Sequence, residues 1–150
     1  MTKTQLQEDL KQSMLARDVV KTSVLRMFIS AIGYYEINKG GAGYEASEED
    51  VMSVLQKEVK QRKDSIEQYS AAKRQDLVDK ETGELKLLEQ YMPAQMSEED
   101  IRTLVKEAIA QTDATTLQDM GKVMGTLAPK TKGKADGSLV SQIVKEALTS

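Results

Sequence analysis

Residues 117–148 read LQDMGKVMGTLAPKTKGKADGSLVSQIVKEAL, and the way this stretch is read decides how the rest of the chain is read. An α-helix advances about 100° per residue, which gathers Leu117, Met120, Val123, Met124 and Leu127 into one apolar stripe. Gly121 and Gly125 fall together on the flank of that stripe, and Lys122 points nearly opposite it. A glycine inside a helix costs about 1 kcal/mol relative to alanine. Two on one edge imply that something approaches the backbone closely: a neighbouring helix, or a polar ligand such as a nucleic-acid backbone. Pro129 is expected to follow the helix and open a loop. Lys122, Lys130, Lys132 and Lys134 crowd this region, with Gly133 among them. Asp136 then reads as the N-cap of a last helix carrying Val140, Ile143, Val144, Ala147 and Leu148. The free N–H groups at the start of that helix, with lysines just before them, read either as a small anion site or as an ordinary capped loop.

Composition bounds what such a stretch can serve. The chain has 150 residues, 39% hydrophobic and 30% charged, with 2 prolines and 1 Phe, which is helix-biased and sufficient for one domain or two small subdomains. No apolar run approaches the ~18–20 residues needed to span a bilayer, and the N-terminus lacks the apolar stretch of a secretion signal. A cytoplasmic location away from membranes is the expectation. The net charge of −3 gives no global basic footprint, so any nucleic-acid partner must be held by a local patch. Cysteine is absent, which excludes disulfides, zinc–thiolate sites and thiol catalysis. Histidine is absent too, which excludes a Ser-His nucleophile and the side chain best suited to proton transfer near neutral pH. With no glycine-rich phosphate loop and no paired-carboxylate signature, neither catalysis by the chain alone nor a cofactor is expected.

Working outward, the remaining segments read as helices. Leu6, Leu10, Met14 and Leu15 keep helical spacing in a first helix to about Arg17. A longer one runs to about Asn38, with Val24, Leu25, Phe28, Ile32 and Tyr35 on one face and Arg26 laying its stem along the core. Lys39-Gly40-Gly41-Ala42-Gly43 ends it as a flexible loop that resembles a phosphate-binding loop only superficially, since no strand precedes it. Ser47 and Ser97 each open a helix as N-caps followed by Glu-Glu-Asp. The first of these helices buries Val51, Leu55, Val59, Arg62, Ile66 and Tyr69. Between them, Leu77, Val78, Leu85, Leu88 and Met92 suit a core edge. Asp76, Asp79, Glu81 and Glu84 read as surface ion-pairing residues rather than a metal site. Lys60, Arg62, Lys63, Lys73 and Arg74 offer an acid-interrupted second basic strip.

The order and spacing of several motifs resemble the GatB/YqeY family over nearly the whole length. They are Leu25-Arg26 with Ala31-Ile32, Lys60 through Ile66, and Arg74-Gln75-Asp76-Leu77. Then come Leu85 through Gln95, Met120-Gly121-Lys122-Val123-Met124-Gly125, and Gly133-Lys134-Ala135-Asp136-Gly137. The resemblance implies an all-α, multihelical fold. Its N-terminal helical subdomain would run over residues 1–95 and its C-terminal three-helix subdomain over 96–150. The family domain also forms the C-terminal tail of the B subunit of the bacterial glutamyl/aspartyl-tRNA amidotransferase, where it helps hold the tRNA body. The expected function is therefore a tRNA-binding accessory module in a bacterial cytoplasm, without catalysis of its own. Partners implied beyond tRNA are the amidotransferase or other aminoacyl-tRNA machinery. The expected contact residues are Gly121, Lys122, Gly125, Lys130, Lys132, Gly133 and Lys134. Two other readings stand beside it. One is a protein-interaction module with an adaptable methionine surface and no RNA contact. The other is a carbon–nitrogen ligase using glutamine as amide donor.

Overall fold

Ser47 and Ser97 do what their positions require. Each accepts the backbone N–H of the residue three places on, Asp50 or Asp100, whose carboxylate reaches back to the serine N–H. Reciprocal caps of this kind satisfy donors that a helix start otherwise leaves orphaned. In the computed structural model, which describes residues 1–150, they open α3 (Glu48–Ala71) and α5 (Glu98–Thr112). The other helices are α1 (Lys3–Leu15), α2 (Val19–Gly40), α4 (Gln75–Glu89), α6 (Met120–Thr131) and α7 (Gly137–Thr149). A single 3₁₀ turn over Leu117–Asp119 leads into α6, and there are no strands. The protein is all-α.

The chain forms two units, Met1–Met92 and Pro93–Ser150. The division falls slightly before the boundary placed after Gln95 from sequence. The physical reason is that Gln95 and Met96 are tied to the second unit: Gln95 Nε2 donates to the Gly133 carbonyl (3.0 Å) and the Met96 N–H to the Lys134 carbonyl (2.8 Å).

In the first unit, α1 to α4 enclose a core of Leu6, Val24, Leu25, Phe28, Ile32, Val51, Val54, Leu55, Val59 and Leu88. Two polar groups are built into it. Arg62 is buried and holds Glu58 Oε2 at 2.8 Å and Glu84 Oε2 at 3.3 Å, so its guanidinium joins α3 to α4. Glu84 is thus turned inward, not to the surface as its sequence suggested, because the buried cation requires a second carboxylate. Asp79 accepts from Gln75 and Asp76 pairs with Arg74, so these acids do not converge. Burying Arg62 also removes it from any external basic strip.

The second group is Asp50, only 5% exposed. It accepts from Tyr35 Oη (2.8 Å), Lys39 Nζ (2.6 Å), Tyr44 Oη (2.6 Å) and the Ser47 N–H (3.0 Å). Lys39 also lies 5.4 Å from the Tyr35 ring centre and 5.3 Å from that of Tyr44. The glycines of the 40–43 loop serve this cluster. A Cβ on Gly40 would meet the Tyr44 ring at 2.7 Å, and Gly41 and Gly43 take positive φ (73° and 96°) to turn the chain. Beside it, Glu36 accepts from Lys3 Nζ (2.5 Å) and the Ala46 N–H (2.9 Å).

The second unit packs α5, α6 and α7 around Ile101, Val105, Ala108, Ala114, Val123, Leu127, Val140, Ile143 and Val144. Two sequence expectations change here. Leu117 lies in the 3₁₀ turn, off the α6 stripe, and is 46% exposed. Pro129 does not end α6 but sits inside its last turn. The turn survives because the Lys132 N–H still reaches the Ala128 carbonyl (3.0 Å) and the buried Thr131 hydroxyl donates to the Leu127 carbonyl (3.0 Å).

The buried polar groups should show themselves in unfolding. Hydrogen bonds from Lys39 first, then Tyr44 and Tyr35, hold the Asp50 carboxyl below its usual range. A depressed acid stabilises the fold above its unfolded pKa, about 3.9, and that contribution is lost as pH falls below it. Asp50→Asn should therefore weaken the first unit at neutral pH and flatten its acid dependence below about pH 4. All five tyrosines lie in this unit, so near-ultraviolet dichroism during urea unfolding at pH 7 and pH 3 reads it selectively. For the ion-pair cluster, Arg62→Ala strands two carboxylates and should cost about 3–5 kcal/mol, whereas an apolar replacement of Arg62, Glu58 and Glu84 together should cost much less. Urea midpoints of the two variants check the difference.

Candidate nucleic-acid interface

α6 carries its core on one side only: Val123, Leu127 and Thr131 are buried, while Gly121, Lys122, Gly125, Ala128 and Pro129 are exposed. A Cβ built on Gly121 or Gly125 would meet nothing within 4 Å. No helix of this chain approaches that edge, so packing inside the chain does not account for the glycines. Lys122 borders them. It also lies close enough to Asp119 to help hold that carboxyl low, after the N–H groups of Thr115 and Thr116, so part of its field is already answered.

The lysines do not form a single cluster. Along an α-helix Lys130 falls about 180° around from Gly121 and about 140° from Gly125, on the other side of α6. Lys132 and Lys134 are exposed on the loop that follows. Its backbone is clamped: Lys134 N–H donates to the Thr131 carbonyl (3.0 Å), and residues 95–96 bind the carbonyls of Gly133 and Lys134. Gly133 is buried with φ 77°, a conformation that glycine adopts without strain. It shapes the loop and presents no surface to a ligand.

The start of α7 is closed as an anion site. Asp136 Oδ1 accepts the N–H groups of Ser138 (2.8 Å) and Leu139 (3.1 Å). The helix terminus is thus answered by the chain's own carboxylate, which would repel a phosphate. What remains is an open α6 edge with Lys122, and beyond it Lys130, Lys132 and Lys134. From Met120 to Ala135 there is no acid. The unit contains no Phe, Tyr or Trp, so it has no ring on which a base could stack.

The sequence profile of Yqey-like proteins matches residues 3–148. The chain belongs to this family. Among its relatives is the yeast protein Altered inheritance of mitochondria protein 41, mitochondrial, of Saccharomyces cerevisiae, 44% identical over 88 residues. That match covers 58% of this chain and 46% of the yeast protein. The proteins of the same name from Kluyveromyces lactis and Vanderwaltozyma polyspora are each 39% identical, over 89 and 87 residues. These matches cover 59% and 58% of this chain and 47% and 46% of the respective yeast proteins, so the chain spans about half the length of the curated relatives it matches. Their names are mitochondrial, which differs from the bacterial cytoplasm expected from sequence. No helix of this YqeY-like chain is long and apolar enough to cross a membrane.

Sequence reading passed over the outer face of α2. It assigned one apolar face to that helix, whereas Val19, Val20, Met27, Tyr34 and Ile37 lie exposed on the other. The signal was available in the near absence of charge between Val19 and Tyr35, where only Lys21 and Arg26 occur.

Because Gly121 and Gly125 stand in open space at helical φ, replacing both by alanine should stabilise the second unit by about 1 kcal/mol per site. Urea unfolding followed by far-ultraviolet dichroism tests this; a loss of stability would mean the edge is filled by the chain itself.

Proposed function

We propose that this YqeY-like chain is a tRNA-binding accessory module, similar in role to the tail of the tRNA-dependent amidotransferase, and that the α6 edge is its contact surface. One observation carries the reading: two glycines on an exposed helix edge, costly to the helix and unused by the chain's own packing. A surface of this shape lets a sugar–phosphate backbone lie against the helix. Lys122 borders it, and Lys130, Lys132 and Lys134 extend the acid-free segment. Without aromatic residues in this unit, the contact is to phosphate and sugar, and it recognises the shape of a folded RNA rather than its bases.

The test separates folding from binding. Gly121→Gln with Gly125→Gln fills the edge, and should leave the fold intact while weakening binding to bulk tRNA in a filter assay by about tenfold or more. Replacing Lys130, Lys132 and Lys134 by glutamine should reduce the slope of log K against log salt by roughly 0.7–0.9 for each phosphate no longer neutralised. An unchanged slope together with unchanged affinity of the glutamine-filled edge removes the proposal.

A further inference from the structure

Every large hydrophobic side chain the protein exposes, apart from Leu117, lies at the end of α1 or on α2: Met14, Leu15, Val19, Val20, Met27, Tyr34 and Ile37. A helix that is apolar all round is ordinarily buried all round. Here α2 buries Val24, Leu25, Phe28 and Ile32 in its own unit and leaves the opposite face uncovered.

That face has the periodicity of a helix seam. Val20, Met27 and Tyr34 recur every seven residues, with Ser23, Ser30 and Ile37 at the intervening positions. Large side chains alternating with serines make knobs and holes for a second helix. At its N-terminal end the face deepens into a groove of about 640 Å³ between Met14 and Arg17 on one side and Val19, Ser23, Arg26 and Met27 on the other. A flat lipid surface would leave such a groove empty, whereas a side chain from a helix fills it.

Charge decides which helix. The groove is lined by two cations and no acid. From Val19 to Tyr35 α2 contains no acidic residue, and the first beyond, Glu36, is buried against Lys3. The nearest acid, Asp18, serves as the α2 N-cap, its Oδ1 accepting the Lys21 N–H (2.9 Å), and pairing this face antiparallel with a second copy of itself would bring no further anion to Arg17 or Arg26. We infer that the outer face of α2 and the α1–α2 groove bind an amphipathic helix from another protein, with apolar residues at 3–4 spacing and acidic residues at the end that meets Arg17 and Arg26. The seam from Val19 to Ile37 has room for a helix of about 18 residues, roughly 27 Å at 1.5 Å per residue. The charge sits at one end of the seam only, so the partner helix binds in one direction. Helix-in-groove docking of this type takes its affinity from apolar anchors and its register and specificity from charge. This surface is built from α1 and α2 alone and does not rest on the RNA reading.

The experiment uses the full chain and three synthetic helical peptides of one leucine 3–4 pattern: glutamates at one end, glutamates at the other, or lysines in place of glutamates. Both acidic peptides should bind in fluorescence anisotropy, because either can align its acids with the arginines by reversing direction. The lysine peptide should bind at least about tenfold more weakly. Met27→Asp and, separately, Tyr34→Asp should each abolish binding. The charge-reversed pair Arg17→Glu with Arg26→Glu should instead prefer the lysine peptide. Both hydrophobic sites are exposed in the free chain, and a dichroism melt confirms that their variants fold. No acidic-peptide binding at 100-fold molar excess, no reversal in the charge-swapped variant, or binding that survives both aspartate variants overturns the inference. So does sedimentation of the wild-type chain as a dimer that Met27→Asp dissociates, or Met27-dependent binding to phosphatidylglycerol vesicles in place of the peptides.

Discussion

A single buried carboxylate sets the reversal between α2 and α3. Asp50 completes the cap of the helix it belongs to, takes the hydroxyls of Tyr35 and Tyr44, and pairs with Lys39. These donors come from the last two turns of α2, from the loop and from the start of α3. The loop donor sets conditions on the backbone: the loop must curl for Tyr44 to arrive, and Gly40 must lack a side chain for the ring to fit. A buried charge is tolerated only when it is paired and its lone pairs are filled, and here all of that is supplied by residues within 15 positions of Asp50 in sequence. The consequence is a fixed starting angle for α3, the helix whose Arg62 then clamps α4.

The second unit solves its corresponding problem with backbone rather than side chains. Its loop between α6 and α7 is held by carbonyls of Gly133 and Lys134 that accept from Gln95 and Met96, and by N–H groups that return to Thr131. That arrangement displays lysine side chains from a fixed backbone without burying any of them. It also explains why Asp136 is needed where it is. With the preceding loop fixed, the first free donors of α7 point at the Asp136 carboxylate, and the helix is capped internally.

The helices and their caps were legible in the sequence because they depend on local spacing: Ser47, Ser97 and Asp136 each cap as their neighbours predict. What was not legible depends on three-dimensional partners. Nothing in the sequence near Glu84 signals that Arg62 lies across from it. Pro129 carries the ordinary sign of a helix end, and only the Lys132 and Thr131 hydrogen bonds show why the last turn continues. Of the proposed contact residues, the openness of Gly121 and Gly125 was an alternative that the wheel left undecided, and the burial of Gly133 was invisible to it. The wheel itself, extended to Lys130, already separates that lysine from the glycine edge.

The two open surfaces differ in the physics they can use. The α6 edge is bordered by Lys122 and has no acid and no ring; in the proposed role its attraction for RNA would be long-ranged, salt-dependent and indifferent to base sequence. The α2 face is apolar with two arginines at one end; its attraction depends on desolvation and on fit. An edge bordered by Lys122, with Lys130, Lys132 and Lys134 spread beyond it, would not by itself give tight or selective phosphate binding at physiological salt, since each lysine–phosphate pair is worth little once counterions compete. Selectivity has to come from elsewhere. A second surface that docks a protein helix would provide it by raising the local concentration of whichever RNA that protein carries, with nothing added to the RNA-facing edge. Each surface rests on its own core, so a charge placed on α2 leaves the packing beneath α6 untouched, and the two contributions are separable by substitution.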